Sequence, residues 1–501
     1  MTMPGLWMTG GVLRRFILRQ LSRKQGLCTI LPSSLRSSGT ARPRGISMPL
    51  NARIDAPLVR TPRTRTVTVT TIAAAIALWI GSAAASEPIL PPPDGEHAVG
   101  VARAEFVDPS RRLDAGDPAS GPRRLPAIVW YPADGRSAAE GSAYIEGEAA
   151  TVTLPAIARN FGYAPEDLQA MASLRMDVQP DAPAARYPQG FPVVVFSHGF
   201  FLYPEQNSAL ASRLASHGYI VVSIAHPGDA ADQRLEDGRV VATLLASEGD
   251  DPRLAKALST LAAGTDLAAS REALPFYADA LAATRIGRSF AQWRDDTLAV
   301  ARAIANGGEP PALRDALAAA DRNRLAFAGM SFGGATSATS CRLVDACRAA
   351  VNLDGQNFDP DLYDGPVERP LLLMLSDWPR YGLLEGQPRE ADFSPNDLAY
   401  ESWDAAGEDR DVLRVRLQGI RHMGFTDLVA LLDGPKREDR VGVIDGDEAL
   451  TAIGDLVLAF LDAQVRDGDA ADIDGVIARH PALVRHVPER LRKWADEDRS
   501  R

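Results

Sequence analysis

The feature that most constrains the fold is the stretch at residues 323–334, which reads Asn-Arg-Leu-Ala-Phe-Ala-Gly-Met-Ser-Phe-Gly-Gly. Apolar residues typical of a buried strand come first, and small residues typical of a helix start follow. The G-x-S-x-G pattern between them predicts a sharp strand-to-helix turn with Ser331 at its tip. Gly329 and Gly333 suit such a turn because backbone and helix press close there. The alternative is a glycine-rich turn without chemistry, but the flanking pattern favours a nucleophile.

Apolar runs of strand length alternate with helical patterns on both sides of Ser331. Continuous apolar runs are typical of buried parallel strands, so the alternation predicts an α/β protein with a doubly wound, mostly parallel sheet. Residues 229–288 interrupt it with an acidic, helix-rich insertion, which we expect to form a cap. Besides the strand before Ser331, we predict strands at 97–106, 125–131, 191–196, 219–224, 349–353, 371–375 and 412–417, and helices at 165–174, 206–217, 293–305 and 447–465.

Residues after Ser331 supply the partners that a serine nucleophile needs. A histidine must take the hydroxyl proton, and a carboxylate must orient that histidine. His422 is the histidine after Ser331 that directly follows a predicted core strand. Asp354 and Asp377 each end a buried strand, and from the pattern either one is the acid or a turn-forming residue.

The other histidines of the globular region have simpler interpretations. His198 directly follows a predicted strand and its serine, and we interpret it as a loop-shaping residue. His217 ends a helix and is interpreted as structural. His226 ends a strand, so it either edges the pocket or is structural. His480 and His486 lie in the polar C-terminal part and are interpreted as surface residues.

Four segments together resemble the platelet-activating-factor acetylhydrolase (isoform II) family and its bacterial relatives, α/β hydrolases related to the dienelactone hydrolases. The resemblance runs from about Val99 to Leu461. It implies the α/β-hydrolase fold and ester hydrolysis without a cofactor or a metal. The segments are Phe-Ser-His-Gly-Phe at 196–200, Gly-Met-Ser-Phe-Gly-Gly at 329–334, Asn-Leu-Asp-Gly at 352–355 and Arg-His-Met-Gly-Phe-Thr-Asp at 421–427.

The resemblance also assigns roles to residues. The acid of that family stands in a Leu-Asp pair after the nucleophile helix, which favours Asp354 and leaves Asp377 as the alternative. It implies that the backbone N–H groups of Phe200 and Phe332 form the oxyanion hole. The chain departs from the family pattern in ways that leave the substrate open. The departures are Phe200-Phe201 in place of smaller residues, Ala225-His226-Pro227-Gly228-Asp229 in place of a Glu-His-Arg-Asp stretch, and the insertion from Asp229 to Arg288.

The first 85 residues read as a leader. A basic region precedes the apolar run Val67–Ile80, and small residues follow it up to Ala85. This order predicts a signal peptide cleaved near Ala85 and a secreted or periplasmic protein. A membrane anchor is the alternative, but the run is short for a span. Met48 offers a second start, which would make the first 47 residues an extension.

The net charge and the predicted segments indicate which partners suit the mature protein and how its chain is organised. The chain has 501 residues and a net charge of −11, but the leader holds twelve basic residues and one acidic residue, which leaves −22 for the rest. A body this acidic is a poor partner for nucleic acids. We expect a linker at 86–98, a catalytic domain at 99–465 and a polar, loosely packed tail at 466–501. No integral membrane span is expected in the mature chain.

Two cysteines, Cys341 and Cys347, remain after removal of the leader with its Cys28. An exported protein can form a disulfide between them, provided that the helix ends between the two positions. Two free thiols are the alternative. Without nearby histidines, the pair does not indicate a metal site.

These observations predict a serine hydrolase that cleaves carboxylic esters through an acyl-enzyme. Acetyl, short-acyl or phospholipid-like esters are the expected small-molecule or lipid substrates. The first rival is an amidase or peptidase on the same fold. The second is a polyester or lipid-surface hydrolase, which an exposed aromatic groove near Phe200, Phe201 and Trp378 would support. The third is a non-catalytic binding protein, which has no need of a full Ser, Asp and His set.

Overall fold

The computed structural model describes residues 90–135, 141–244, 252–264, 266–382, 394–406, 411–434, 436–466, 468 and 471–500. The predicted signal peptide with its cleavage site, Met48, Cys28 and the start of the predicted linker lie outside these residues. No helix within the described ranges is both long and apolar enough to cross a membrane.

Strands account for the centre of the structure, and most of them come from the apolar runs predicted above. In chain order they are β1 (Ala98–Arg112), β2 (Pro122–Ala133), β3 (Ser142–Ala143), β4 (Arg175–Met176), β5 (Gln179–Pro180), β6 (Phe191–Ser197), β7 (Ile220–Ile224), β8 (Gln233–Arg234), β9 (Val240–Val241), β10 (Ala320–Met330), β11 (Cys347–Leu353), β12 (Leu371–Leu375), β13 (Val412–Leu417) and β14 (Leu483–Arg485).

The main sheet has the strand order β14-β13-β12-β11-β10-β6-β7-β2-β1-β5. Its six central strands, β6, β7 and β10 to β13, are parallel, whereas β2 and β14 pair antiparallel with their inner neighbours. Gly329 pairs with Ser197, and Met330 pairs with Leu353. The loops that follow β6, β10 and β11 therefore start side by side at the carboxyl edge of the sheet, where α/β proteins place their sites.

Helices cover the sheet and build the insertion. In chain order they are α1 (Gly147–Phe161), α2 (Gln169–Ser173), α3 (Ser208–Ser216), α4 (Pro252–Ala262), α5 (Leu267–Ala282), α6 (Arg285–Ala305), α7 (Phe332–Arg342), α8 (Trp378–Tyr381), α9 (Leu428–Leu431), α10 (Arg437–Val441), α11 (Gly446–Val465), α12 (Ala471–Arg479) and α13 (Glu489–Arg499).

Side chains of alternate residues in the central strands pack into two apolar cores, one on each face of the sheet. In β6, Val194 and Phe196 join one core, and Val193 and Val195 join the other. All four side chains are almost fully buried, and burial of such a side chain stabilises the fold by about 1.5–3 kcal/mol. A strand buried on both faces explains why its sequence is continuously apolar. The predicted α/β fold with a doubly wound, mostly parallel sheet is thus confirmed.

The C-terminal segment is not the loosely packed tail that its polar composition indicated. β14 pairs antiparallel with β13 and extends the sheet. In α13, Leu491, Trp494 and Ala495 are buried, because these apolar residues are spaced to share one face of an otherwise charged helix.

The two histidines of this segment are also not free surface residues. His480 Nε2 lies 2.6 Å from Asp455 Oδ2, and His486 Nε2 lies 2.7 Å from Asp397 Oδ1. Only 17% of the His480 side chain and 10% of the His486 side chain are exposed. Neither carboxylate partner is close in the sequence, so the local pattern gave no sign of these pairs.

Candidate active site

Ser331 lies at the tip of the turn between β10 and α7. Its φ of +56° is in a region that a residue with a side chain rarely adopts. The Ser331 N–H donates to the Leu353 carbonyl over 2.8 Å, which anchors the turn. A Cβ at Gly333 would lie 2.0 Å from the Ser197 carbonyl oxygen, so glycine is required where the helix start meets β6. This is the geometry that the G-x-S-x-G pattern predicted.

His422 connects Ser331 to a carboxylate. It begins a short 3-10 turn, His422–Phe425, just after β13. Its Nε2 lies 2.8 Å from Ser331 Oγ, and its Nδ1 lies 2.7 Å from Asp354 Oδ2. An ionised carboxylate only accepts hydrogen bonds, so Nδ1 carries the proton and Nε2 faces the serine hydroxyl with its lone pair. The His422 side chain is 44% exposed, which leaves the histidine within reach of a substrate.

The structure separates the two candidate acids. Asp354 follows β11, and its second oxygen, Oδ1, accepts from the Ser376 N–H over 2.7 Å. Asp377 instead uses Oδ2 to accept from the Gly419 N–H over 2.8 Å, while its own N–H donates to the Ile420 carbonyl. Asp377 therefore joins the ends of β12 and β13, and Asp354 is the aspartate that contacts His422.

The loop after β6 passes directly against the serine. A Cβ added at Gly199 would lie 3.3 Å from Ser331 Cβ. The next residue, Phe200, follows this close approach, and Phe332 follows Ser331 on the other side. In the described part of the chain, neither the Phe200 N–H nor the Phe332 N–H donates to a protein acceptor. Both N–H groups are therefore available as hydrogen-bond donors, and they lie on the two segments that border the Ser331 hydroxyl.

Both ring nitrogens of His198 are hydrogen-bonded to backbone groups, one in its own loop and one in the segment that follows β7. Nε2 accepts from the His226 N–H over 3.1 Å, so Nδ1 carries the proton and donates to the Gly199 carbonyl over 2.7 Å. Burial, followed by the neighbouring His226, lowers the pKa of His198 to about 3. A neutral histidine with these partners shapes a loop and has no free nitrogen for proton transfer.

His226 is fully buried and does not edge an open pocket, one of its two sequence interpretations. Its Nδ1 lies 2.9 Å from Asp296 Oδ2, and its Nε2 lies 3.1 Å from Ser197 Oγ. Burial raises the pKa of Asp296, but Arg123 and His226 outweigh burial and hold that pKa below its ordinary value. Sequence reasoning missed Asp296 and Arg123, because their contact joins a helix to a distant strand.

Five aromatic residues gather beside the candidate site. The Phe332 ring lies 4.9 Å from the rings of Phe200 and Trp293, 5.4 Å from that of Phe358 and 6.3 Å from that of Phe290. Phe200 and Phe358 are half-buried, and the other three are buried. We call these five residues the aromatic cluster.

Within the described residues, Phe200, Phe201 and Trp378 do not form an exposed aromatic groove. Phe201 is 4% exposed and Trp378 is 5% exposed. The Trp378 ring instead packs edge-on against His486, a residue of the C-terminal segment. The sequence pattern could not show that the end of the chain covers this tryptophan.

A cavity of about 340 Å³ lies against the aromatic cluster. Residues from α5, α6 and α7 line it, and Phe290 and Phe358 belong both to its wall and to the cluster. Its lining residues on α5 are small or apolar, including Ala278 and Leu281, whereas Arg294, Arg342 and Asp359 are among the charged residues on its other walls.

A disulfide joins Cys341 and Cys347, whose Cα atoms lie 5.3 Å apart. The helix α7 ends at Arg342 and β11 begins at Cys347, so the chain turns between the two cysteines. Both cysteines are buried. Among the described residues, no group of three or more His, Cys, Asp or Glu side chains is arranged to hold a metal ion.

Residues 89–235 match the family model of platelet-activating factor acetylhydrolase, isoform II. The chain has the α/β-hydrolase fold and resembles this family. The matched segment includes the Phe200 loop and ends before Ser331. The resemblance inferred from the four motifs is confirmed, and the acetylhydrolase match supports an ester substrate.

A solved structure supports the same fold. The ferulic acid esterase from Streptomyces cinnamoneus aligns with a TM-score of 0.56 and 21% sequence identity, over 80% of this chain and 99% of that chain. At this identity the likeness bears on the fold alone. No curated protein sequence matched this acetylhydrolase-like chain.

Proposed function

We propose that the protein is a serine hydrolase that cleaves carboxylic esters through an acyl-enzyme intermediate. The observation that carries the proposal is the pair of short contacts made by one imidazole. His422 lies 2.8 Å from Ser331 Oγ and 2.7 Å from Asp354 Oδ2. A serine hydroxyl becomes a useful nucleophile when a histidine, oriented by a carboxylate, can take its proton.

In the first step Ser331 Oγ attacks the ester carbonyl carbon while its proton moves to His422 Nε2. The resulting imidazolium is stabilised by Asp354, which the Ser376 N–H holds in place. The carbonyl oxygen becomes an oxyanion, and the N–H groups of Phe200 and Phe332 donate to it. In known hydrolases one such donor is worth about 3–4 kcal/mol of transition-state stabilisation.

Collapse of the tetrahedral intermediate breaks the bond between the carbonyl carbon and the alcohol oxygen. The proton on His422 Nε2 passes to the leaving alkoxide, and the acyl group stays on Ser331. Water then attacks the acyl-enzyme, with His422 as the base that accepts its proton. That proton returns to Ser331 Oγ as the carboxylic acid leaves, so the cycle needs no cofactor.

Acetyl and short-acyl esters, including phospholipid-like esters, are the favoured substrates. The aromatic cluster includes Phe332, a proposed oxyanion donor, and its members Phe332, Phe290 and Trp293 are at most 6% exposed. Rings packed this closely leave little space next to the proposed oxyanion donors. The match to an acetylhydrolase family supports the same substrate class.

Esters of aromatic acids are a second candidate. The half-buried rings of Phe200 and Phe358 offer aromatic faces for offset stacking near Ser331. The structural neighbour named a ferulic acid esterase makes this class worth testing directly.

The test is hydrolysis by protein that begins at Ser86. The substrates are p-nitrophenyl esters from acetyl to dodecanoyl, methyl ferulate, and p-nitroacetanilide for the amidase rival. Ser331→Ala is compared with Ser337→Ala, a matched control whose buried hydroxyl only donates to the Gly334 carbonyl. We expect ester turnover that Ser331→Ala abolishes and Ser337→Ala retains. Absence of ester turnover in folded wild-type protein would refute the proposal.

We further propose that the mature protein is secreted or periplasmic. Basic, apolar and small residues follow one another in the order of a signal peptide up to Ala85. The disulfide between Cys341 and Cys347 supports an oxidising compartment. N-terminal sequencing of protein recovered from the periplasm or the medium should give Ser86 as the first residue. Recovery in the cytoplasm with an intact leader would contradict export.

A further inference from the structure

The segments that follow β6 and β7 are joined by a series of hydrogen bonds. Each bond connects Ser197, the last residue of β6, or the loop after it that carries Phe200 to the chain that begins at His226. The bonds join Ser197 Oγ to His226 Nε2 over 3.1 Å, the His226 N–H to His198 Nε2 over 3.1 Å, the Phe201 N–H to the Asp229 carbonyl over 2.7 Å, and the Ala231 N–H to the Leu202 carbonyl over 2.7 Å.

We propose that these bonds form a clamp and that His226 is a positioning residue, which fixes the Phe200 N–H where the oxyanion of the reaction develops. This inference rests on the proposed esterase function, because the expected effect on catalysis requires that the protein hydrolyses esters. The bonds hold the residues on both sides of Phe200, so Phe200 itself has little freedom to move. A donor that is already in place needs no reorganisation during the reaction.

The loop needs an external restraint because part of its backbone is strained. Phe201, the residue after Phe200, has a φ of +66°, although it is not glycine. Such a conformation persists only when the surroundings impose it. The hydrogen bond from the Phe201 N–H to the Asp229 carbonyl acts on this very residue. The Asp229 side chain is itself held by Arg285 and by the Trp293 indole N–H.

His226 is held as firmly as the loop that it contacts. The Trp293 ring stacks on the His226 ring at 3.8 Å with an angle of 11° between the planes. Asp296 Oδ2 accepts from His226 and also lies 2.7 Å from Arg123 Nη2, and Arg111 reaches its other oxygen over 2.7 Å. The two arginines therefore fix the carboxylate that fixes the imidazole.

Ser197, His226 and Asp296 repeat the bonding pattern of a catalytic triad, but their burial rules out catalysis on an ester. They are 2%, 0% and 0% exposed. Burial lowers the pKa of His226, and Asp296 opposes this only in part. Nδ1 then donates to Asp296, and the Ser197 hydroxyl donates to Nε2. These three buried side chains cannot contact a substrate. They are, however, directly hydrogen-bonded to the segment that carries Phe200.

Two substitutions each remove one partner of the hydrogen bond between Ser197 and His226. Ser197→Ala removes the hydroxyl and leaves His226 paired with Asp296. His226→Asn keeps a donor toward Asp296 and removes Nε2. If the bond between them matters, the double variant is about as impaired as the worse single variant. His486→Gln is the matched control, since it alters a buried histidine-aspartate pair that lies outside the loop.

The experiment measures kcat and KM on p-nitrophenyl acetate per active site, with active sites counted by an organophosphonate that labels Ser331. We expect kcat to fall roughly tenfold or more in Ser197→Ala and His226→Asn, with KM within about twofold and no change in His486→Gln. An unchanged kcat per labelled site in Ser197→Ala would overturn the proposal, even if His226→Asn fails to fold.

Amide hydrogen exchange of a peptide covering residues 197–202 provides a readout that does not depend on ester turnover. The clamp predicts faster exchange in Ser197→Ala than in wild type or His486→Gln. Equal exchange in all three proteins would refute the clamp. Failure of the wild type to cleave any ester would instead refute the proposed function, and the exchange rates would still decide the clamp.

Discussion

Asp354 and His422 are 68 residues apart in the chain, yet Asp354 Oδ2 lies 2.7 Å from His422 Nδ1. The parallel sheet explains the meeting, because β11 and β13 both end at the carboxyl edge where Ser331 lies. Asp377, which follows the intervening strand β12, accepts a hydrogen bond from the Gly419 N–H. The sequence left these two aspartates as alternatives, and the contact with His422 distinguishes them.

The first prediction compares Asp354→Asn with Asp377→Asn. An amide at residue 354 cannot stabilise the imidazolium and favours the wrong tautomer of His422, so kcat should fall roughly 10³–10⁴-fold. Asp377→Asn should lower kcat no more than severalfold. Steady-state kinetics on p-nitrophenyl acetate check both values. A larger loss in Asp377→Asn, with intact folding, would return the acid role to Asp377.

Local patterns were sufficient to predict the longer strands of the main sheet and the residues that the structure brings together at Ser331, but not the short strands such as β5 and β14. The turn glycines and the polar residues after apolar runs are features of single short segments. The buried network around His226 could not be predicted in this way. Arg123 and Asp296 are 173 residues apart, and each stands in a segment whose local pattern only predicts a strand or a helix. Their pairing depends on which faces of those elements meet.

The second prediction concerns the disulfide between Cys341 and Cys347. It closes a loop of six-residue separation between the end of α7 and the start of β11. For so short a loop, the chain-entropy model gives a stabilisation of about 2 kcal/mol. The double variant Cys341→Ala/Cys347→Ala should melt a few degrees below wild type. Added reductant should lower the Tm of wild type only, and an equal effect on the variant would exclude the disulfide as its cause.

The third prediction is loss of stability in mild acid through His198. Its pKa is lowered from 6.5 to about 3 in the folded protein. Between these values the unfolded chain binds a proton that the native protein does not, so stability is full above pH 6.5 and falls as the pH falls. From pH 6.5 to 5.0 this residue should account for a loss of about 2 kcal/mol. His226, whose pKa is also lowered by burial, adds in the same direction.

Urea unfolding of wild type and His198→Asn at pH 7.5 and 5.0 measures that loss. The variant should be less stable at pH 7.5, because the bonds to Gly199 and His226 are altered. Its further loss between the two pH values should be smaller than that of wild type by about 2 kcal/mol. Parallel losses in the two proteins would show that His198 is not the titrating group.

The C-terminal segment shows that the average composition of a segment does not predict which of its residues are buried. The average composition of α13 is strongly polar. Its residues Leu491, Trp494 and Ala495 nevertheless share one face of the helix and are buried. Helical spacing would have found them, since positions i, i+3 and i+4 lie on one side of a helix. What the spacing could not show is the partner surface, which includes the 3-10 turn Trp403–Ala405 and the helix α5.

The fourth prediction concerns substrate size and the cavity of about 340 Å³ next to the aromatic cluster. Phe358 belongs to both, and its ring lies 5.4 Å from that of Phe332. Phe358→Ala should join the cavity to the site, and each extra methylene that it buries is worth about 0.8 kcal/mol. The ratio of kcat/KM for hexanoyl over acetyl esters should then rise roughly tenfold or more. Phe276→Ala, which truncates an exposed ring on α5, should leave the ratio unchanged. A uniform loss on all chain lengths in Phe358→Ala would mean that this ring supports the site without limiting the acyl group.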